Sequence, residues 1–228
     1  MEKFEKLINY NFKNPKLLKQ AFTHSSFAHE HKMSSLENNE RLEFLGDAVL
    51  ELIISEYLYQ NFPDMPEGEL TKFRASIVCE SSLAKNAMKL DMGKFVLLGK
   101  GEENTGGRTR ESILADAFEA VIGAIFLDGG HSVAKKFIID ILYESIEQGH
   151  DTFKLSDCKT YLQELLQKSS KEVIRYYIVD EYGPDHNKVF VAEVNHSNSI
   201  LGKGMGKSKK EAEQNAAYNA IKNLEIDI

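Results

Sequence analysis

The period of the hydrophobic pattern changes near residue 150, and this change constrains the fold more than any other feature. Up to residue 147, apolar residues recur at steps of three and four, as in "RLEFLGDAVLELIISEYLYQNF", which is the spacing of helices that bury one face. Beyond residue 172, "VIRYYIVDEY" and "KVFVAEVNH" are rich in β-branched and aromatic residues, which predicts strands. An all-α part should therefore precede a part that contains a sheet.

The second part has the pattern of a small α+β domain. A helical segment, "DCKTYLQELLQKSS", comes before the two strands, "SNSILGKGMG" gives a short third strand, and "KSKKEAEQNAAYNAIKNL" carries one small-to-apolar helical face. The predicted order is α-β-β-β-α. We therefore predict an all-α domain at 1–148, a linker at 149–154 and the α-β-β-β-α domain at 155–226.

Composition places the chain among globular proteins and argues against several classes. With 42% hydrophobic and 28% charged residues, it can bury a core. No apolar run approaches the roughly 18 residues of a membrane helix, and the charged start "MEKFEKLINY" is unlike a signal peptide. The 2 cysteines fit no metal-binding spacing, and "GEENTGGRTR" lacks that of a P-loop. We expect a cytoplasmic protein with no membrane association and no nucleotide cofactor.

Two predicted helices of the first part carry carboxylates among apolar residues. Glu40, Glu43 and Asp47 stand at i, i+3 and i+7 of one, and Asp116 and Glu119 at i and i+3 of the other, so each set follows one stripe. Carboxylate oxygens without histidine or cysteine are typical ligands of Mg²⁺, with Mn²⁺ as an alternative. Metal-assisted phosphodiester hydrolysis is one hypothesis. The other, which spacing alone favours, is that the acids line exposed faces of amphipathic helices.

A lysine cluster opens the last predicted helix. It comprises Lys203, Lys207, Lys209 and Lys210, and cations in a first turn oppose the helix dipole. Such a cluster makes sense if an anion binds there, although most charge runs are simply solvated. The net charge of −7 does not contradict this, because residues 1–150 hold most of the acid excess, with 17 Lys and Arg against 23 Asp and Glu.

These segments together resemble a known family. "NERLEFLGDAVL" followed by "ILADAFEAVIGAIFLD" closely resembles the catalytic domain of ribonuclease III, and "FTHSSFAHE" and "PEGELTKFRASIV" are similar to that family in the right order. The α-β-β-β-α part resembles the double-stranded-RNA-binding domain. The resemblance implies a metal-dependent endoribonuclease that cleaves double-stranded RNA to 5′-phosphate and 3′-hydroxyl ends and processes rRNA precursors and other structured transcripts. The alternative is a protein that binds duplex RNA without cutting it.

The resemblance also implies roles for individual acids. The family's metal ligands correspond to Glu43, Asp47, Asp116 and Glu119. Of these, Asp47 and Glu119 are the two most directly tied to catalysis. Glu40 and Glu67 resemble outer acids near the scissile strand, and they are also assigned to catalysis.

The remaining implied roles concern partners. Each site can cut one strand, so a homodimer is expected, and Phe44 resembles the aromatic residue that contacts the partner subunit; from the sequence alone, a core position is nearly as good an interpretation. The residues that correspond to RNA contacts are Gln163, Gln167, His186, Lys207, Lys209 and Lys210.

Overall fold

The computed structural model describes residues 1–156, 158–167, 173–184, 188–197 and 199–225. The chain divides into two compact units, 1–149 and 150–228. Described helices of the first unit are α1 (Glu2–Leu7), α2 (Pro15–Ala21), α3 (Ser25–Glu30), α4 (Glu40–Asn61), α5 (Glu67–Val78), α6 (Glu80–Lys89), α7 (Lys100–Asn104), α8 (Glu111–Gly129) and the start of α9 (His131–Ser156). Short 3₁₀ helices lie at Ser35–Glu37, Met92–Lys94 and Gly107–Thr109.

The second unit has the predicted order, with α10 (Cys158–Gln167), β1 (Arg175–Tyr182), β2 (Val189–His196), β3 (Ser199–Gly206) and α11 (Lys209–Glu225). Its strands form an antiparallel sheet in the order β1-β2-β3. The core lies between one face of this sheet and the two helices, and it includes Leu162, Ala192, Val194 and the alanines of α11. The fold class predicted from the hydrophobic periods is therefore confirmed.

Helix α9 differs from the sequence expectation because it runs through residues 149–154, which were predicted to be a linker. That prediction rested on polar composition, which does not by itself end a helix. The segment contains a single glycine and no proline, and one glycine costs a helix only about 1 kcal/mol. The predicted domain boundaries themselves stay predictions.

Helix α8 is the centre of the first unit. From Ile113 to Ile125 its residues are buried, apart from the half-buried Asp116 and Glu119. A helix that is apolar on nearly every side is stable only when other elements surround it. The two carboxylates are therefore fixed in position by the packing of the whole helix.

Helices α4 and α8 touch through two glycines. A Cβ atom on Gly46 would overlap the carbonyl oxygen of Glu119, and one on Gly123 would overlap that of Leu42. Neither glycine has a positive φ, so it is lack of space that requires glycine at both positions. This backbone contact brings Glu43 of α4 alongside Glu119 of α8.

In the part of the chain that the structure describes, no helix combines the length and the apolar character needed to cross a membrane.

Candidate functional site

Three carboxylates from two helices meet where α4 lies on α8. Glu43, Asp116 and Glu119 each place a carboxylate oxygen within 4.8 Å of the other two, and all three side chains are half-buried. The ion pairs found between described residues all lie elsewhere. These three residues, called the carboxylate cluster below, are therefore not neutralised by any described lysine or arginine.

Crowding raises the pKa values of the cluster. The pKa of Glu119 is raised to about 8, first by burial and further by the negative charges of Asp47, Glu43 and Asp116. Burial also raises the pKa of Glu43 and that of Asp116. Ionised together, such groups repel one another at a partly desolvated site. A hard divalent cation would remove that repulsion, and an all-carboxylate donor set without histidine or cysteine fits Mg²⁺ or Mn²⁺.

The structure brings together three of the four predicted metal ligands. The fourth, Asp47, is exposed one turn further along α4 and lies outside the cluster, but it is close enough for its charge to raise the pKa values of Glu119 and Glu43. The predicted outer acid Glu40 begins α4, is exposed, and also raises the pKa of Glu43. The catalytic role of Glu40 and the metal-binding and catalytic roles of the cluster remain predictions.

Glu67, the other predicted outer acid, begins α5 and is exposed. Its carboxylate accepts a hydrogen bond from the hydroxyl of Thr71 at 3.0 Å. It is not a member of the carboxylate cluster, so a catalytic role for it stays a prediction that would depend on bound substrate.

Two residues beside the cluster were not predicted. Glu80, the first residue of α6, raises the pKa of Asp116, and His24 lowers it. His24 is the N-cap of α3 and accepts a hydrogen bond from the amide of Ser26 through Nδ1 (3.2 Å). The sequence gives no signal for Glu80, because only the packing of α6 against α8 brings it near Asp116.

Phe44 is not a core residue, since its side chain is 81% exposed. Leu52 and Tyr59, which are 60% and 76% exposed, follow it at i+8 and i+15 of α4 and so lie along the same side of the helix. Large apolar side chains exposed in a row are typical of interaction surfaces. The structure thus removes one of the two interpretations of Phe44.

The predicted RNA contacts that fall within the described residues are accessible. Gln163 and Gln167 of α10 are exposed, as are Lys207, Lys209 and Lys210, which are called the lysine triplet below. Lys203, grouped with them in the sequence, instead forms an ion pair with Glu193 at 2.6 Å. The prediction for His186 falls outside the described residues.

A cap that was not predicted from the sequence stabilises the start of α11. The amide of Glu211 donates to the hydroxyl of Ser208 (3.2 Å), and the Glu211 carboxylate accepts from the amide of Lys207 (2.7 Å). This S-x-x-E arrangement resembles a capping box. It places an acid in the first turn of the helix, which offsets the unfavourable position of the lysines.

Lys188 is a further cation that was not predicted from the sequence. The ammonium groups of Lys188 and Lys209 each lie 5.9 Å from the centre of the Phe190 ring. Lys188 also pairs with Glu181 at 2.8 Å. Lys188, which directly precedes β2, therefore lies near the first turn of α11.

The stability of the metal-free protein should depend on pH in a way that reveals the cluster. The folded-state pKa of Glu119, about 8, exceeds its ordinary value of 4.5. Between these two pH values the folded protein keeps a proton that the unfolded chain loses, so the stability of the fold decreases as pH rises from 4.5 to about 8. In chelator, the Tm of the Glu119→Gln protein should decrease less with rising pH than that of the wild type, because glutamine cannot ionise. Thermal unfolding of both proteins across the window tests this, and parallel Tm curves would contradict it.

Family models match both parts of the chain. Residues 14–146 match a model described as Ribonuclease-III-like, and residues 158–224 match one described as Double-stranded RNA binding motif. These two matches fall on either side of the change in hydrophobic period.

Curated relatives and a solved structure agree with these matches. The chain is 53% identical over 223 residues to Ribonuclease 3 of Geobacillus thermodenitrificans, covering 98% of this chain and 90% of the relative. It is 55% identical over 218 residues to Ribonuclease 3 of Desulforamulus reducens, covering 96% and 89%. A nuclease-domain structure of ribonuclease III from Campylobacter jejuni, described as flexible in the region involved in dimer formation, is 47% identical with a TM-score of 0.59, covering 63% of this chain and 96% of that one.

Proposed function

The chain belongs to the ribonuclease III family of endoribonucleases, and we propose that it hydrolyses double-stranded RNA with a divalent cation, Mg²⁺ or alternatively Mn²⁺, held by its clustered carboxylates. The proposed products carry 5′-phosphate and 3′-hydroxyl ends. The observation that carries the proposal is the carboxylate cluster, because its acids are half-buried, have raised pKa values and form no ion pair with a described lysine or arginine. The proposed substrates are rRNA precursors and other structured transcripts in the cytoplasm.

The residues proposed to hold the cation are Glu43, Asp47, Asp116 and Glu119. When bound, a divalent cation supplies an activated water and positive charge that stabilises the negative charge developing at the phosphate. The chain's own contribution is to fix the donors, which it does through the backbone contact of Gly46 with the residue 119 carbonyl. Glu40 and Glu67, both exposed, are proposed as outer acids beside the scissile strand.

The second unit is proposed to supply affinity for the duplex. Amide side chains such as those of Gln163 and Gln167 can hydrogen-bond the 2′-hydroxyls of the RNA minor groove, and the lysine triplet can bind the phosphates between two such grooves. All of these side chains are exposed. His186 is proposed as a further minor-groove contact.

Cleavage of both strands is proposed to require a homodimer, since one site can cut only one strand. The exposed side of α4 that carries Phe44 is the surface we assign to the partner subunit. Support for this surface comes from its apolar character, and support for a dimer comes from the dimer formation described for the Campylobacter jejuni nuclease domain.

Phe44→Asp should therefore convert the dimer to a monomer and greatly reduce double-strand cleavage. An aspartate in the centre of an apolar interface would be desolvated without a partner. Sedimentation equilibrium gives the mass, and Leu127→Asp, at an apolar position of α8 that is 56% exposed, is the matched control. A dimeric Phe44→Asp protein would refute the assignment of this surface.

The test of the function itself is a substrate panel. Duplex RNA, single-stranded RNA and duplex DNA are incubated with the full chain in Mg²⁺ or in chelator. Of the three substrates, only duplex RNA should be cleaved, and it should be cleaved in Mg²⁺ but not in chelator. Tight binding of duplex RNA without cleavage would instead indicate a protein that only binds it.

A further inference from the structure

Three asparagines of α11 bind the edge strand of the sheet. The side-chain amides of Asn215, Asn219 and Asn223 donate to the carbonyl oxygens of Met205, Lys203 and Leu201, at 2.7, 2.7 and 3.0 Å. The donors stand at i, i+4 and i+8 of the helix, and the acceptors are alternate residues of β3. We call this set the asparagine ladder.

The ladder works because the repeats of the two elements match. Four residues of an α-helix rise about 6 Å, and two residues of a strand rise about 6.6 Å, so each step along α11 meets the next outward carbonyl of β3. A shift of α11 by one residue would rotate the asparagines away from the strand and break all three hydrogen bonds together. The ladder therefore specifies one register.

Close packing lets the short asparagine side chains reach the strand. A Cβ atom on Gly202 or Gly204 would lie too close to the backbone of Ala216, and alternation in the strand places both glycines on its helix-facing side. The helix backbone consequently rests directly on β3. Larger residues at these glycines would lift α11 beyond the reach of an asparagine amide.

The same register places the lysine triplet. Lys207 follows β3 directly, whereas Lys209 and Lys210 form the first turn of α11. Asn215 is a little more than one turn further along the helix, and its partner Met205 is two residues before Lys207. The ladder thus joins the strand and the helix on both sides of the segment that carries the three cations.

We propose that the asparagines of the ladder are positioning residues for duplex RNA, which hold the lysine triplet in the spacing that the phosphates require. This inference rests on the proposed binding of RNA by the triplet. None of the three asparagines needs to touch RNA for the effect. Their loss would leave the charge of the protein unchanged and would misalign the cations.

The experiment compares two triple variants of the full chain, Asn215→Ala/Asn219→Ala/Asn223→Ala and a variant with alanine at the lysine triplet, by fluorescence anisotropy with duplex RNA in chelator. Affinity falls with salt by about 0.9 log unit per log unit of salt for each neutralised phosphate. The lysine variant should make this slope shallower by up to about 3. The asparagine variant should weaken binding roughly 10-fold and make the slope shallower by about 1, although no charge is removed.

Single variants provide a matched control, because Asn223→Ala removes the same chemistry at the end of the ladder far from the lysines. It should change the slope less than Asn215→Ala. A purely structural role would lower the bound fraction without changing the slope, so an unchanged slope in the asparagine variant overturns the inference. An unchanged affinity in the lysine variant would refute the proposed RNA contacts instead.

Discussion

Replacing Glu119 by glutamine is expected to abolish cleavage of duplex RNA while leaving its binding intact. Glutamine keeps the size of the side chain but removes the charge that the cluster would offer a cation. Loss of one such electrostatic group lowers the chemical rate by about 10²- to 10³-fold. Loss of a metal ligand should lower the rate by at least the larger of these factors. Single-turnover cleavage in Mg²⁺ measures the rate, and anisotropy in chelator measures binding.

Glu111→Gln is the control for this change. Glu111 begins the same helix, is exposed and lies outside the cluster, so this variant should cut at the wild-type rate. If Glu119→Gln also did so, the proposed role of the cluster would be wrong.

Gly46→Ala should both destabilise the first unit and impair cleavage. The added methyl group would overlap the carbonyl oxygen of Glu119, so α4 and α8 would have to separate. Overpacking a close contact lowers the free energy of unfolding by about 1–3 kcal/mol. This corresponds to a decrease in Tm of roughly 2–12 °C for a chain of this size. Separation would also move Glu43 away from Glu119, so catalysis should fall even in the molecules that stay folded.

Calorimetry and the cleavage rate below the transition measure the two effects. Gly101→Ala is the matched control, because a Cβ atom there meets nothing within 4 Å and should leave both quantities nearly unchanged. Normal stability and rate in the Gly46→Ala protein would mean that the two helices do not depend on this contact.

Much of the fold could be predicted because buried faces of helices and strands require apolar residues at regular spacings in the sequence. The change from helical spacing to alternation separated the two units, and the alanine face of α11 indicated its packing on the sheet. The acid stripes of α4 and α8 were also visible, since helical geometry fixes which residues share a side. The sequence did not show that the two stripes lie next to each other, because this depends on the backbone contact at Gly46.

Other features depend on tertiary structure and leave no local pattern. Glu80 reaches Asp116 only because α6 packs on α8. Exposure decided between the two interpretations of Phe44, since an aromatic residue in an amphipathic helix suits a core and an interface equally. Asn215 and its two companions looked like an ordinary polar helix face, and their function became apparent only with the strand beside them.

The most direct test of the proposed metal site is a titration of the protein with Mn²⁺ in the absence of RNA, followed by electron paramagnetic resonance of the free ion. Wild-type protein and the Glu111→Gln control are expected to remove Mn²⁺ from solution, and Glu43→Gln, Asp116→Asn and Glu119→Gln should each weaken this binding by at least about 10-fold. Equal Mn²⁺ binding by the wild type and all three cluster variants would contradict the assignment of these carboxylates as a metal site.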